Sequence, residues 1–289
     1  MECGWTSICL KDLISYLPDG ILVSILSRLE IEQAARTSAL ARRWRYLWTF
    51  TSSLIFKFCD WRIVDHEDKL FGLKCRQFVD WVNHILKFHR GMIIDEFSIQ
   101  FCLDDNIFKS DIDGWINFAF RKRVKRLKFN FRCTWTNGNW NYPLTAHILH
   151  YHRLDSLTSL YLCHVDVTRE VLEYILFVCP LLEELSILHS RSLFWDFKDS
   201  TKETKIRRPK HLHKSLKVLE LNGFIGCKAD LQIASYILGS TVSLQEIIID
   251  PSHPNKWAPE DPDTQQLARM RARQHLETRL PFGTQLVLR

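Results

Sequence analysis

Residues 12–50 read DLISYLPDGILVSILSRLEIEQAARTSALARRWRYLWTF. The stretch holds more apolar side chains than three short helices can hide. Leu17-Pro18-Asp19-Gly20 opens the first helix. Proline suits a first helical turn, where its missing N–H has no intrahelical partner to lose, and aspartate suits the positive end of the helix dipole. Ile21, Leu22, Ile25, Leu26 and Leu29 then recur at helical spacing and form a wide stripe. A second helix is expected over 31–39. A third carries Leu40, Trp44, Leu47 and Trp48 on one face, with Arg42, Arg43 and Arg45 mostly off it. Fewer than about 40 residues rarely make a stable core unaided. Each Leu or Ile left in water forgoes roughly 1.5–3 kcal/mol. The segment therefore needs a further surface, supplied either by the rest of its own chain or by a partner protein.

The residues from Leu17 to Leu22, 25–29, 36–40 and 42–48 closely resemble an F-box of the large plant F-box family, and the likeness runs over the whole motif. The resemblance implies docking onto the Skp-type adaptor subunit of a cullin–RING ubiquitin ligase. Carried over residue by residue, the implied contacts are Leu17, Pro18, Ile21, Leu22, Ile25 and Leu29, followed by Leu40 and Trp44. Trp48 is placed equally well under the domain or against the partner.

Beyond the helical head the chain is built for a large core. It has 289 residues, 46% of them hydrophobic, with ten tryptophans and eighteen phenylalanines, a composition that excludes disorder over most of its length. Nine cysteines without regular spacing point to a reduced, intracellular setting in nucleus or cytoplasm. No signal-peptide run and no long uninterrupted apolar stretch is present, so a membrane span is not expected. A net charge of +6 and a pI near 8.8 fall short of a dedicated nucleic-acid domain. Basic residues do cluster at 42–45, 121–128 and 202–217.

A pattern of aliphatic-x-x-aliphatic-x-aliphatic recurs at Ile94/Phe97/Ile99, Val124/Leu127/Phe129, Leu157/Leu160/Leu162, Leu182/Leu185/Ile187, Leu216/Leu219/Leu221 and Leu244/Ile247/Ile249. A short strand is expected over 54–58, and helices at 78–86, 171–177 and 231–238, the last ending at Gly239. Strand-plus-helix units at steps of about 25–34 residues signal a solenoid, because neither element buries its apolar face without a neighbouring unit. The fold class expected is α/β: a three-helix head over 12–50, behind a tail at 1–11, followed by a solenoid of parallel strands and backing helices over 51–250. Lys128, Tyr161, Ser186, Glu220 and Ile248 then face outward from the strands. Inserts near 130–153 and 189–215 interrupt the stack, the second carrying Trp195, and both are candidates for partner contact. Ser156–Leu162 and 179–185 resemble the irregular leucine-rich repeats that follow plant F-boxes. The position three past each last strand aliphatic holds Cys102, Arg132, Val165, Ser190, Phe224 and Ser252, so no asparagine ladder is expected. Residues 268–288, within a segment at 251–289, resemble an FBD-type end and are expected to cap the stack with a helix over 264–279 and a strand over 285–288.

Chemistry-bearing motifs are absent. His147, His150 and His152 lie close in sequence, with His164, His211 and His213 elsewhere, but Cys133 and Cys163 form no C-x-x-C pair, and no metal site or other cofactor is expected. There is no G-x-S-x-G elbow, Walker loop or G-x-G-x-x-G. Gly223-Phe224-Ile225-Gly226 reads as a turn. The basic run 121–126 is committed to a strand by Val124, and 205–210 is the better nuclear-import candidate. The function implied is a non-catalytic adaptor that binds a Skp-type subunit at one end and an unidentified target protein along the solenoid. The alternative is a protein-binding repeat scaffold outside any ligase.

Overall fold

The computed structural model describes residues 14–58, 68–101, 106–131, 141–150, 154–190, 212–252 and 261–289. The expected tail at 1–11, Trp195 and the basic segment 205–210 lie outside the described residues.

The head opens with a 3-10 turn, Ile14–Tyr16, then α1 (Asp19–Leu26), α2 (Ile31–Arg36), a 3-10 turn at Thr37–Ala39 and a nine-residue 3-10 helix, Arg42–Phe50. Pro18 sits just before α1 as its N-cap, and Asp19 occupies the first turn. The Asp19 carboxylate accepts from Arg43 Nε and Nη2 at 2.9 and 2.6 Å, while Arg43 Nη2 also donates to the Leu17 carbonyl at 2.6 Å. One guanidinium thus ties the last helix of the head to the first. Leu22, Leu26, Ala34, Trp44 and Leu47 form a small core of their own, with Leu17, Val23 and Trp48 packed against it.

The solenoid begins at β1 (Ser53–Lys57) and continues through α3 (Asp68–Phe88), β2 (Glu96–Gln100), α4 (Lys109–Arg121), β3 (Arg126–Asn130), β4 (Tyr142–Leu144), α5 (Ala146–His150), β5 (Ser159–Cys163), β6 (Val165–Val167), α6 (Arg169–Val178), β7 (Glu184–Leu188), β8 (Val218–Asn222), α7 (Lys228–Ser240), β9 (Glu246–Asp250), α8 (Pro262–Leu276) and β10 (Gln285–Leu288). Among the described residues eight strands form one sheet in the order β1-β2-β3-β5-β7-β8-β9-β10, every neighbouring pair parallel. All six repeated triplets end in these strands. Their register stacks Leu54, Phe97, Leu127, Leu160, Leu185, Leu219, Ile247 and Leu286 in one column, with a second column two residues on from Phe56 to Leu288. The helices cover those columns: Ile112, Trp115 and Ile116 of α4 and Leu172 and Ile175 of α6 belong to the same continuous core. At the first units aromatic rings replace leucines. Phe78 stacks on Phe101 at 5.0 Å, and Phe58 meets both edge-on at 5.4 and 5.6 Å.

Three expectations need correction. The region 130–153 is not simply a loop, because β4 pairs with β6 in a second, two-stranded parallel sheet and α5 follows it. Helix α7 does not stop at Gly239 but runs to Ser240, ending where Ser240 Oγ and Thr241 Oγ1 bond back to the carbonyls of Tyr236 and Ile237. The terminal segment does not merely cover the stack: α8 buries Ala268, Ala272 and Leu276 behind the sheet, and β10 adds an eighth strand to it.

The head is joined to the first unit by more than its chain connection. Ile31 of α2 enters the main core, and Trp48 touches both cores. Ser52 N–H donates to Ser27 Oγ at 2.9 Å, and the N–H groups of Arg90 and Gly91 donate to the Thr49 carbonyl at 2.7 and 3.1 Å. His89 is buried at this seam with Nε2 at 2.9 Å from the Thr51 carbonyl, and burial holds its pKa below the ordinary value. A Cβ on Gly91 would come within 2.8 Å of the His89 ring, so the close approach needs glycine.

Asp230, in the first turn of α7, is fully buried. One carboxyl oxygen accepts from the N–H groups of Ile225 and Cys227 at 2.9 and 3.1 Å. Burial pushes its pKa up from 3.8 to about 6. Because the folded value lies above the unfolded one, the stability carried by the protonated form is complete below pH 3.8 and is lost as pH rises through about 6. Asp230→Asn keeps an acceptor oxygen and removes the titration. Urea midpoints of that variant should lack the decline that this carboxyl imposes on the native chain between about pH 4 and pH 6; identical pH profiles would contradict this assignment.

Candidate protein-docking site

The head divides the residues expected to meet a partner into two sets. Ile21 and Ile25, four apart on α1, are 50% and 41% exposed, Leu29 is 36% exposed and Leu40 70% exposed. Pro18 is exposed, and Leu17 is half-buried against the small core. Leu22 and Trp44 are buried, at 0% and 6%, and cannot reach a partner in this conformation. Both are corrections, each with its own geometric cause. The α1 stripe is too wide for a single contact, so Leu22 and Leu26 turn into the head while Ile21 and Ile25 turn out. The third helix is 3-10, with about three residues per turn, so Trp44 and Leu47, three apart, share the inner side. Leu40 precedes that helix and stays in solvent.

Leu29 is also displaced from its expected setting. Helix α1 stops at Leu26, where Ser27 Oγ donates to the Val23 carbonyl at 2.8 Å, and Leu29 follows in the turn. Ile14 and Tyr16, 56% and 79% exposed, add apolar surface next to Pro18 that periodicity did not single out because they precede the first helix. Exposed side chains of this size, gathered in one short helical head, are what a docking surface requires. Of the basic residues beside them, Arg43 is engaged by Asp19.

The strand face brings the other expected contacts into one row. Register places Lys128, Tyr161, Ser186, Glu220 and Ile248 side by side across five strands. They are already linked to one another: Lys128 Nζ lies 4.5 Å from the Tyr161 ring centroid, Ser186 Oγ donates to Glu220 at 3.0 Å, and Arg289 Nη1 meets Glu220 at 2.8 Å. Ile248 is a correction, being only 7% exposed. The Arg289–Glu220 pair links β10 to β8 and so crosses β9, the strand that carries it. The basic run 121–128 is likewise engaged. Lys122 Nζ donates to the Gly91 carbonyl at 2.7 Å, Lys125 pairs with Asp95 at 2.7 Å, and Arg126 pairs with Glu96 at 3.3 Å.

Of the histidines noted for metal binding, His152 and His211 lie outside the described residues. His150 packs on the Tyr174 ring at 4.3 Å. His213 is a buried structural residue, its Nδ1 accepting from Leu216 N–H at 3.1 Å and its Nε2 lying 2.8 Å from the Cys179 carbonyl. One group that spacing alone does not reveal is assembled by the fold: Cys163, His164 and His189 each bring a potential ligand atom within 4.8 Å of the others. No helix among the described residues is long and apolar enough to cross a membrane.

Comparison with known proteins finds two matching families. The F-box domain family matches residues 14–56, and the FBD family matches residues 206–249. An F-box/LRR-repeat protein of Arabidopsis thaliana is 31% identical over 63% of this chain and 39% of its own length. An F-box/FBD/LRR-repeat protein of the same plant is 29% identical over 63% of this chain and 45% of its own length. The chain thus spans less than half the length of either relative. The FBD match takes in β8, α7 and most of β9, upstream of the segment at 251–289 that resembled such an end. The chain therefore carries an F-box domain followed by a leucine-rich-repeat-like solenoid with an FBD segment, and its relatives are the Arabidopsis F-box/LRR and F-box/FBD/LRR proteins.

Proposed function

We propose that this protein is a non-catalytic substrate-recognition subunit of a cullin–RING ubiquitin ligase, its head seated on a Skp-type adaptor and its solenoid holding a target protein. The observation that carries the reading is the split within the head: Leu22, Leu26, Trp44 and Leu47 complete a small core, while Ile21, Ile25, Leu29 and Leu40 remain exposed beside it. A second protein covering those four would recover free energy that the folded monomer forgoes. The subunit would then work by proximity, keeping the target's lysines at high effective concentration near the ubiquitin-carrying enzyme. Its joint to the solenoid, through Ile31, Trp48 and the Thr49 carbonyl, suits that role because a rigid link fixes where the target sits.

For the target side the row from Lys128 to Glu220 is the favoured face. Its members hold a cation at one end, an anion at the other and an aromatic ring between, and a partner would exchange their internal pairs for intermolecular ones. Protein is favoured over nucleic acid because Lys122, Lys125 and Arg126 are already engaged within the chain. The test is capture of the full chain from cells in which ligase activity is blocked. It should bring down a Skp-type adaptor and a cullin in constant proportion; recovery of the chain without either would reject the reading.

A further inference from the structure

We propose that Cys163, His164 and His189 form a three-ligand zinc site at the corners that follow β5 and β7. The cysteine sulfur and one ring nitrogen from each histidine lie within 4.8 Å of one another. Tetrahedral zinc, with bonds of about 2.3 Å to sulfur and about 2.0–2.1 Å to nitrogen, sets such atoms roughly 3.3–3.6 Å apart. Donor atoms no more than 4.8 Å apart lie within reach of that geometry. The donor set of one thiolate and two imidazoles selects zinc over the oxygen-seeking magnesium and calcium.

The backbone at this place is built in an unusual way. His164 and His189 both have φ of 57°, in the left-handed region, which L residues rarely adopt. The next corner along the sheet uses Gly223 at φ 84°, which meets the same demand without a side chain. All three residues follow a strand directly and bond to the next unit in the same way: His164 N–H to the Leu188 carbonyl at 3.0 Å, His189 N–H to the Asn222 carbonyl at 3.1 Å, and Gly223 N–H to the Asp250 carbonyl at 2.8 Å. Equivalent corners on adjacent rungs bring two histidines 25 residues apart to a ring separation of 5.1 Å.

The surroundings fit an ion. Cys163 is buried, and His164 Nε2 and His189 Nδ1 are sealed from solvent. A Cβ on Gly223 would come within 3.3 Å of His189 Nδ1, so glycine there leaves the ring its position. Asn141 Nδ2 holds the His189 carbonyl at 2.7 Å and the Asp166 carboxylate at 2.9 Å, fixing the corner from the neighbouring loop. Binding converts the Cys163 thiol to a zinc thiolate and releases one proton to solvent, while both imidazoles bind neutral. Three protein ligands leave a fourth position for water or another donor. The ion would clamp the exit of β5 to the exit of β7, at the start of the insert near 189–215.

The test uses the full chain without an added histidine tag. It should retain about one zinc per chain after dialysis, and cobalt in its place should show a thiolate-to-metal charge-transfer band. Cys163→Ser should abolish that band. His164→Asn and His189→Asn, chosen because asparagine tolerates the left-handed backbone, should each lower zinc affinity about tenfold or more with an unchanged far-ultraviolet circular dichroism spectrum. His150→Asn, outside the cluster, should bind as the native chain does. Absence of stoichiometric metal from the native chain, or native-like uptake by His189→Asn, would overturn the site and leave a packed ring pair beside a thiol. The asparagine variants decide the matter even if Cys163→Ser fails to fold.

Discussion

Ile21→Asp combined with Ile25→Asp should abolish binding of a Skp-type adaptor while leaving the unfolding midpoint of the chain essentially unchanged. Both side chains are half-exposed on α1, so an added carboxylate meets water in the free protein and costs little. In the complex each would be a buried, unpaired charge in an apolar contact. Losses of about 2 kcal/mol at each central contact, some 30-fold per residue, multiply to roughly a thousandfold. The contrasting variant is Leu22→Ala, one position away. Leu22 is fully buried, and its truncation should melt the head by about 2–5 kcal/mol. Direct binding measurements beside thermal denaturation separate the two cases. If the aspartate pair binds normally, the contact lies elsewhere on the head.

Leu185→Ala should destabilise the solenoid by about 2–5 kcal/mol, read as a lowered urea midpoint. Leu185 has no exposure and sits mid-column, with Leu160 on one side and Leu219 on the other. Its removal leaves a cavity that two rungs and the helix layer must share, and parallel strands buried under helices have little freedom to collapse into it. The equivalent change at Leu286, on the outermost strand and half-buried, should cost visibly less. Equal losses at the two positions would argue against stacking as the source of stability, because a stacked array loses most where a unit has two neighbours.

How much of this was legible in the sequence follows from which interactions are local. The triplets around Phe97, Leu127, Leu160, Leu185, Leu219 and Ile247 announce their strands because each needs only a period of two on its own chain. Helix α4 carries an equally local signal, with Ile112, Trp115, Ile116, Ala119 and Phe120 at helical spacing, although no repeat triplet marks it. The strand pair β4–β6 has no such signal, since three residues cannot establish a period. The division of the head into inner and outer residues was legible only in part. A stripe as wide as Ile21-Leu22-Ile25-Leu26 does not say which half faces in, and sequence does not distinguish a 3-10 from an α-helical third element. Leu40 and Trp44, placed on one face by the sequence, therefore part: Leu40 is exposed and Trp44 is buried. Ile248 looked outward by alternation, yet between its register neighbours Glu220 and Val287 it is only 7% exposed. The Cys163–His164–His189 group was not legible, because its members meet through register between units and not through spacing along the chain.

The central claim is that the helical head is energetically incomplete until a second subunit covers Ile21, Ile25, Leu29 and Leu40. Calorimetric titration of the purified full chain with a purified Skp-type adaptor tests it most directly. The account predicts one-to-one association with a negative heat-capacity change, the mark of apolar surface leaving water. Association that is undetectable, or that proceeds with no heat-capacity change and survives Ile21→Asp with Ile25→Asp, would contradict it.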